Sequence, residues 1–217
     1  MTRFKEEKGY IILTALISLL PFVLGLFLKN SLPEQVPVHF DFNGDADRYA
    51  SLREMQLMFL FLPLIHLFAA FITATDPKNR NVSPKIYHLL LWIVPCLSFV
   101  LAYVIYGKAL GRNIDVTTVM IILMAFIYLI MGNYLPKTRQ NHTVGIKIPW
   151  TLSDQDNWDK THRLTGYLWM VCGALMLPLV FLERKQSFVL LLIIVAISGF
   201  VPYLYSFLLY RQKEENR

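Results

Sequence analysis

Six apolar runs decide what this chain can be. They lie near residues 10–28, 55–74, 87–106, 116–135, 167–182 and 187–210, and none contains Asp, Glu, Lys or Arg. About 20 mostly apolar residues are needed for an α-helix to cross about 30 Å of hydrocarbon. Five runs satisfy that directly. The fifth, from Gly166, is shorter and is expected to borrow residues upstream. The turn at 183–186 is tight, so the last two runs could form one broken helix. Their combined length favours two spans. Of the 217 residues, 55% are hydrophobic and only 17% are charged, against roughly 25% charged in a soluble domain. The fold class expected is therefore all-α, a polytopic membrane protein with about six transmembrane helices.

The first run follows Arg3, Lys5 and Lys8, as a secretory signal would. However, it is longer than a signal's apolar core, and no small-residue cleavage site follows it. It reads as a retained span. Cys96 and Cys172 both fall inside apolar runs, which leaves no disulfide framework in the loops and two buried, inert thiols. No internal repeat is visible. The expected organisation is an N-terminal two-span unit, 1–75, carrying a long loop at 29–53. A four-span unit, 76–217, follows and carries a second long loop at 136–166.

Orientation follows from the basic residues beside the spans. With the N-terminus inside, the inner segments hold Arg3, Lys5, Lys8, Lys78, Arg80, Lys85, Lys137, Arg139, Lys147, Lys160, Arg163, Arg211, Lys213 and Arg217. The outer loops hold Lys29, Arg48, Arg53, Lys108, Arg112, Arg184 and Lys185. The bias is about two to one for both termini in the cytoplasm, in a multi-pass cell-membrane protein. The net charge of +6 is then accounted for by anionic headgroups, and no direct nucleic-acid partner is implied.

Function must sit in the two long loops. In the outer one, Val38, Phe40 and Phe42 alternate with His39 and Asp41 ahead of Asn43-Gly44, a strong hairpin signal. A short β-hairpin-like element is expected. His39, Asp41, Asn43, Asp45, Asp47 and Arg48 are its candidate binding residues. Asp41, Asn43, Asp45 and Asp47 place oxygen ligands as a calcium loop does. Yet glycine stands at the fourth place instead of the sixth, and Leu52 occupies the place that needs a bidentate Glu. A polar turn capped by Asx side chains is the expected reading.

In the inner loop, Gly145 and Pro149 oppose a helix through 145–150. Ser153 followed by Asp156 marks a helix N-cap. A helix from there places Trp158, Thr161, His162 and Thr165 along one side, with Asp154, Asp156 and Asp159 in the turn where the helix dipole favours acids. Trp150 and Trp158 are expected at headgroup level. Asp159 and His162, with His142 or Asp156, could share a metal, but such pairs are more often caps and ion pairs, and no metal or cofactor is expected. His66, in the middle of the second run, is expected to be neutral and bonded to a neighbouring helix.

The stretch from Asn141 to Leu152, with Gly145-Ile146-Lys147 and Pro149-Trp150-Thr151-Leu152, resembles the signature of the SdpI family of bacterial membrane proteins. Ser153, Asp154, Trp158, Lys160, His162, Arg163 and Gly166 continue the likeness. Leu32-Pro33, Pro37-Val38-His39-Phe40, Asn43-Gly44 and Asp47-Arg48-Tyr49 resemble the N-terminal domain of unknown function found with that family. The resemblance covers nearly the whole chain. Lys147 stands where Arg is more usual, and Ile148 where Thr is. Lysine cannot make arginine's two-pronged contact with a carboxylate.

The resemblance implies a non-enzymatic immunity protein of a Gram-positive bacterium. Such proteins protect a producing cell from its own secreted peptide toxin, and they can signal by holding a cytoplasmic repressor at the membrane. The functional loop expected comprises Asn141, His142, Gly145, Lys147, Pro149, Trp150, Thr151, Asp154, Trp158, His162 and Arg163. The expected partners are the bilayer, an extracellular peptide toxin and a cytoplasmic repressor. A small transporter or channel is the alternative, marked only by His66 and His88. A membrane-embedded metal enzyme comes third, and it requires His142, Asp154, Asp156, Asp159 and His162 to converge. The charge bias predicts that a reporter active only in the cytoplasm, fused after Arg217, is active. An inactive fusion at normal expression would refute the six-span orientation.

Overall fold

The computed structural model describes residues 3–41, 43–75 and 82–216. Six helices are long and apolar enough to cross a membrane. In chain order these and the smaller elements are α1 (Arg3–Leu28), strands β1 (Gln35–Phe40) and β2 (Ala46–Ser51), α2 (Leu52–Thr75), α3 (Pro84–Ala109) and α4 (Val116–Tyr134). Then come a short α5 (Pro149–Ser153), α6 (Gln155–Met176) and α7 (Arg184–Glu215), with single 3-10 turns after α4 and α6. The chain is an all-α multi-pass membrane protein with one small hairpin. The helices overrun their apolar runs because the ends need no hydrocarbon. The fifth span borrows 155–166, as its short run required. Separate helices on either side of Leu182 settle the last two runs as two spans. Outward-facing Phe27, Phe68, Phe181 and Phe200, each more than 60% exposed, suit a surface solvated by lipid.

The chain divides into two compact units, Met1–Pro77 with Tyr87–Val116, and Lys78–Ile86 with Thr117–Arg217. In the first, Leu32, Val36, Met55, Phe59, Ala102, Ile105 and Tyr106 form the core beneath the hairpin. Gly25 leaves room for the Tyr106 hydroxyl, which donates to the Pro21 carbonyl at 2.7 Å. His66 is buried and shares a 2.8 Å hydrogen bond with Thr14 of α1. This is the tie to a neighbouring helix that the sequence led us to expect. The hairpin is antiparallel, with a register shift around Val38. Gly44 takes φ +79°, a conformation glycine adopts without the Cβ penalty. Asp41 Oδ1 accepts from the Asn43 and Asp45 amides, so the acidic positions form a capped turn. Phe42 of the expected alternation, Lys78 and Arg80 of the charge count, and Arg217 lie outside the described residues.

In the second unit, α4 and α6 cross antiparallel on small residues. A β-carbon on Gly132 would stand 2.8 Å from the Gly166 carbonyl, and one on Gly173 2.9 Å from the Ala125 carbonyl. Direct backbone contact replaces the hydrophobic driving force that lipid cannot supply. Ile121, Ala125, Tyr128, Cys172, Met176 and Leu179 fill the core around that crossing. Cys96, by contrast, is exposed on the outside of α3 and not buried as the apolar run suggested. Its side of the helix faces away from the packed stripe. Gly166→Ala places a methyl against Pro136 and the Gly132 carbonyl, an overpacking that costs about 1–3 kcal/mol. It is expected to lower the melting temperature of the detergent-solubilised protein by several degrees, measured by thermal denaturation.

Candidate functional site

The segment 138–154 folds as a closed loop at one end of the second unit, closed by the buried side chains of Asn141, Thr151 and His162 with half-buried Gln140. Asn141, 1% exposed, uses every polar position it has. Its Nδ2 donates to the Arg139 and Val144 carbonyls at 2.7 and 3.1 Å. Its Oδ1 accepts from the Thr143 and Val144 amides, both at 2.8 Å. The Thr151 hydroxyl donates to the Ile146 carbonyl at 2.6 Å and accepts from the Ile148 amide. Gln140 Nε2 donates to the Thr151 carbonyl. The Thr143, Val144 and Ile148 amides and the Arg139, Val144, Ile146 and Thr151 carbonyls of this irregular chain are thereby given partners, as burial demands.

His162 holds the loop against α6. The Ile146 amide donates to its Nε2 at 2.9 Å. An amide can only donate, so Nε2 carries no proton. Nδ1 carries it and donates to the Trp158 carbonyl at 2.8 Å. The imidazole is therefore neutral, with both nitrogens committed. It lies on the Trp158 ring at 3.8 Å between centroids and 19° between planes. Gly145 makes this approach possible. Its φ is +130°, and a β-carbon there would collide with His162 Nε2 and the Trp158 ring.

Trp158 is fully buried, and its Nε1 donates to the Thr138 carbonyl at 2.7 Å. It is an internal post of the loop and not the headgroup anchor expected from its aromatic type, because its one polar atom finds a backbone partner inside the protein. Trp150 packs on Tyr203, Phe207 and Tyr210 of α7 at 5.3, 5.1 and 6.0 Å between centroids. The N-cap of α6 is Asp154 and not Ser153. The Asp154 carboxylate accepts from the Asp156 amide, whereas the Ser153 hydroxyl donates back to the Trp150 carbonyl. No helix runs through 145–150, as Gly145 and Pro149 indicated in the sequence; a short helix, α5, begins only at Pro149. Pro149 sits at its first position, where no intrahelical donor is needed.

Asp154 also pairs with Lys213 at 2.8 Å. The Lys213 hydrogen bond, together with the Asp156 and Asn157 amides, holds its carboxyl below the usual carboxylate range. Two residues missed by sequence reasoning complete the tie to α7. Asn157 Nδ2 donates to the Ser206 carbonyl at 2.9 Å, and its Oδ1 accepts from the Ser206 hydroxyl at 2.6 Å. The available signal was Ser206 itself, a hydroxyl inside an apolar run that needs a partner.

The expected helix face of Trp158, Thr161, His162 and Thr165 is wholly buried. The acids and histidines do not converge. Asp156 pairs with Lys160, Asp159 with Gln155, and His142 lies exposed. Among the described residues no three His, Cys, Asp or Glu side chains group closely enough to hold a metal. His142, Lys147, Pro149 and Arg163 are exposed on this closed frame, and Lys147 Nζ donates to the His142 carbonyl. In the hairpin, His39 Nδ1 meets Asp47 at 2.6 Å in the open, and Arg48 lies opposite His39 in register.

Residues 137–206 match the model of the SdpI/YfhL protein family, and that match contains this entire loop. Over those residues the chain is similar to the SdpI/YfhL family. Residues 16–67, spanning the hairpin, match a domain of unknown function, DUF1648. The chain is also 22% identical over 213 residues to a Bacillus subtilis protein named immunity protein SdpI, covering 95% of this chain and 98% of that one. No solved structure matches the chain.

Gly145→Ala meets both a left-handed backbone and the His162 ring. It is expected to open the loop, raising the maleimide reactivity of a Cys placed at 144 at least tenfold while membrane levels hold. Because the Asp154 carboxyl is lowered, its tie to Lys213 is intact at neutral pH. That tie is lost only as pH falls through that lowered range. Lys213→Ala should abolish this acid-dependent loosening, read by the hydrogen exchange of the loop amides as pH is lowered.

Proposed function

We propose that this protein is an SdpI-like immunity protein of the cell membrane, with both termini in the cytoplasm, that protects its cell from a secreted peptide toxin and catalyses no reaction. The observation that carries this reading is the similarity to the protein named immunity protein SdpI along almost the whole of both chains. It joins a family-matched loop whose buried side chains are spent on its own closure. A site built for catalysis would hold reactive groups uncommitted. Here the His162 nitrogens, Asn141 and Thr151 all have partners. What the loop offers outward is a fixed surface bearing His142, Lys147 and Arg163, a surface suited to contact. The hairpin meets the toxin, and the loop, on the cytoplasmic side, holds a repressor protein when toxin is present.

Trp150→Ala and Asn141→Ala are expected to abolish protection against the toxin at unchanged membrane abundance. Trp150 is half-buried on three aromatic rings of α7, so its truncation costs less than the roughly 3–5 kcal/mol of a fully buried ring, and six spans hold the fold without it. His39→Ala and Asp41→Ala are expected to do less. Normal protection by the inner pair, or failure of the outer pair alone, would place the working part in the hairpin.

A further inference from the structure

The last helix contains a break that lies between two differently held halves. Pro202 cannot donate to the Ser198 carbonyl one turn earlier, so that carbonyl is left open inside α7. It is not left unpaired. Trp169 Nε1 of α6 donates to it at 3.1 Å. The Ser198 hydroxyl, fully buried, meets the Tyr128 hydroxyl of α4 at 2.7 Å. The Tyr128 and Trp169 rings stack at 4.8 Å. Three helices thus meet at the one point where α7 lacks its own hydrogen bond.

On the loop side of Pro202 the helix is gripped repeatedly. Tyr203, Phe207 and Tyr210 pack on Trp150. Ser206 makes two hydrogen bonds to Asn157, and Lys213 pairs with Asp154. On the other side, residues 184–201 lean on the core of the unit through Leu191, Ile194 and Val195 and on the preceding turn through Ser187, and Val189, Leu192, Ile193, Ile197 and Phe200 are exposed.

We propose that Pro202 is a hinge. Residues 203–213 and the loop 138–154 form one rigid piece, and residues 184–201 swing against it, with the Trp169–Ser198–Tyr128 contact as the pivot. Sharp helix bends arise where a proline interrupts the hydrogen-bond ladder, and hinges absorb their change over a few residues between better-held bodies. The freed carbonyl bonded by a side chain makes this break switchable, since the indole can let go without disturbing either flanking helical turn. Through it, a tilt of the lipid-exposed half of α7 reaches the loop. The inference concerns motion alone and stands apart from the immunity reading.

The test is electron–electron distance measurement on spin-labelled cysteine pairs in proteoliposomes, in a Cys96→Ser, Cys172→Ala background. The pair at 147 and 211 lies within the rigid piece and is expected to give a narrow distribution. The pair at 147 and 190 spans the hinge and is expected to be at least twice as broad. Pro202→Ala restores the backbone bond and should narrow the second distribution to the width of the first. Trp169→Phe removes the pivot's donor and should broaden it further, leaving the 147–211 pair unchanged. Equal widths for the two pairs in the unmodified helix overturn the proposal. So does a 147–190 width that neither substitution alters. If Pro202→Ala fails to insert, the comparison of the two pairs and the Trp169→Phe result decide the matter.

Discussion

The bond from the Ile146 amide to His162 Nε2 organises the loop-bearing unit. It requires a neutral imidazole whose proton sits on Nδ1, and the Trp158 carbonyl fixes that tautomer. It requires the imidazole to approach the chain at residue 145, where any β-carbon would collide. It also requires Trp158 to lie flat beneath the ring, which places the indole N–H at the Thr138 carbonyl. One hydrogen bond thereby fixes a glycine, a tautomer and the start of the loop. Removing one partner of such a buried set leaves a desolvated polar group, at about 1–3 kcal/mol each.

The same economy of polar groups governs the spans. Within hydrocarbon a backbone carbonyl or hydroxyl without a partner costs several kcal/mol, and four of the spanning helices contain an internal proline, at positions 21, 63, 95 and 202. At Pro202 the freed Ser198 carbonyl takes a tryptophan N–H. Around Pro21 the Tyr106 hydroxyl supplies a further bond and fills the space that Gly25 leaves. The buried hydroxyls of Thr14 and Ser206 serve similarly between helices, one on His66 and one on Asn157. Where polar chemistry is absent, glycines bring the backbones of α4 and α6 into contact.

These constraints divide the family-matched loop into two sets of residues with different work. Asn141, Gly145, Thr151, Trp158 and His162 build the frame. His142, Lys147, Pro149 and Arg163 stand on it in the open. A surface whose backbone is tied at these points loses little freedom when a partner binds, and this lowers the entropic cost of association. Trp150, Asn157 and Lys213 carry the frame's position into α7, so the loop and the end of that helix share one geometry.

The sequence by itself determined the spans, because an apolar run long enough to cross hydrocarbon has no alternative use, and it determined the hairpin, because Asn43-Gly44 between alternating residues admits few other turns. It also marked the buried face of α6, since Trp158, Thr161, His162 and Thr165 recur at helical spacing. Only the tertiary structure decided what those residues touch. Trp150 and Trp158 are the same residue type eight positions apart. One packs its ring on α7 and the other is sealed inside the loop, and no local pattern separates them. Ser153 and Asp154 both suit an N-cap, and the choice fell to Asp154, the one that also meets Lys213, 59 positions along the chain. Asn157 carried no signal of its own in the sequence; its partner, Ser206, lies 49 positions along the chain. Periodicity and turn chemistry are local and survive in one dimension; partners are chosen by folding, across distances that sequence spacing does not encode.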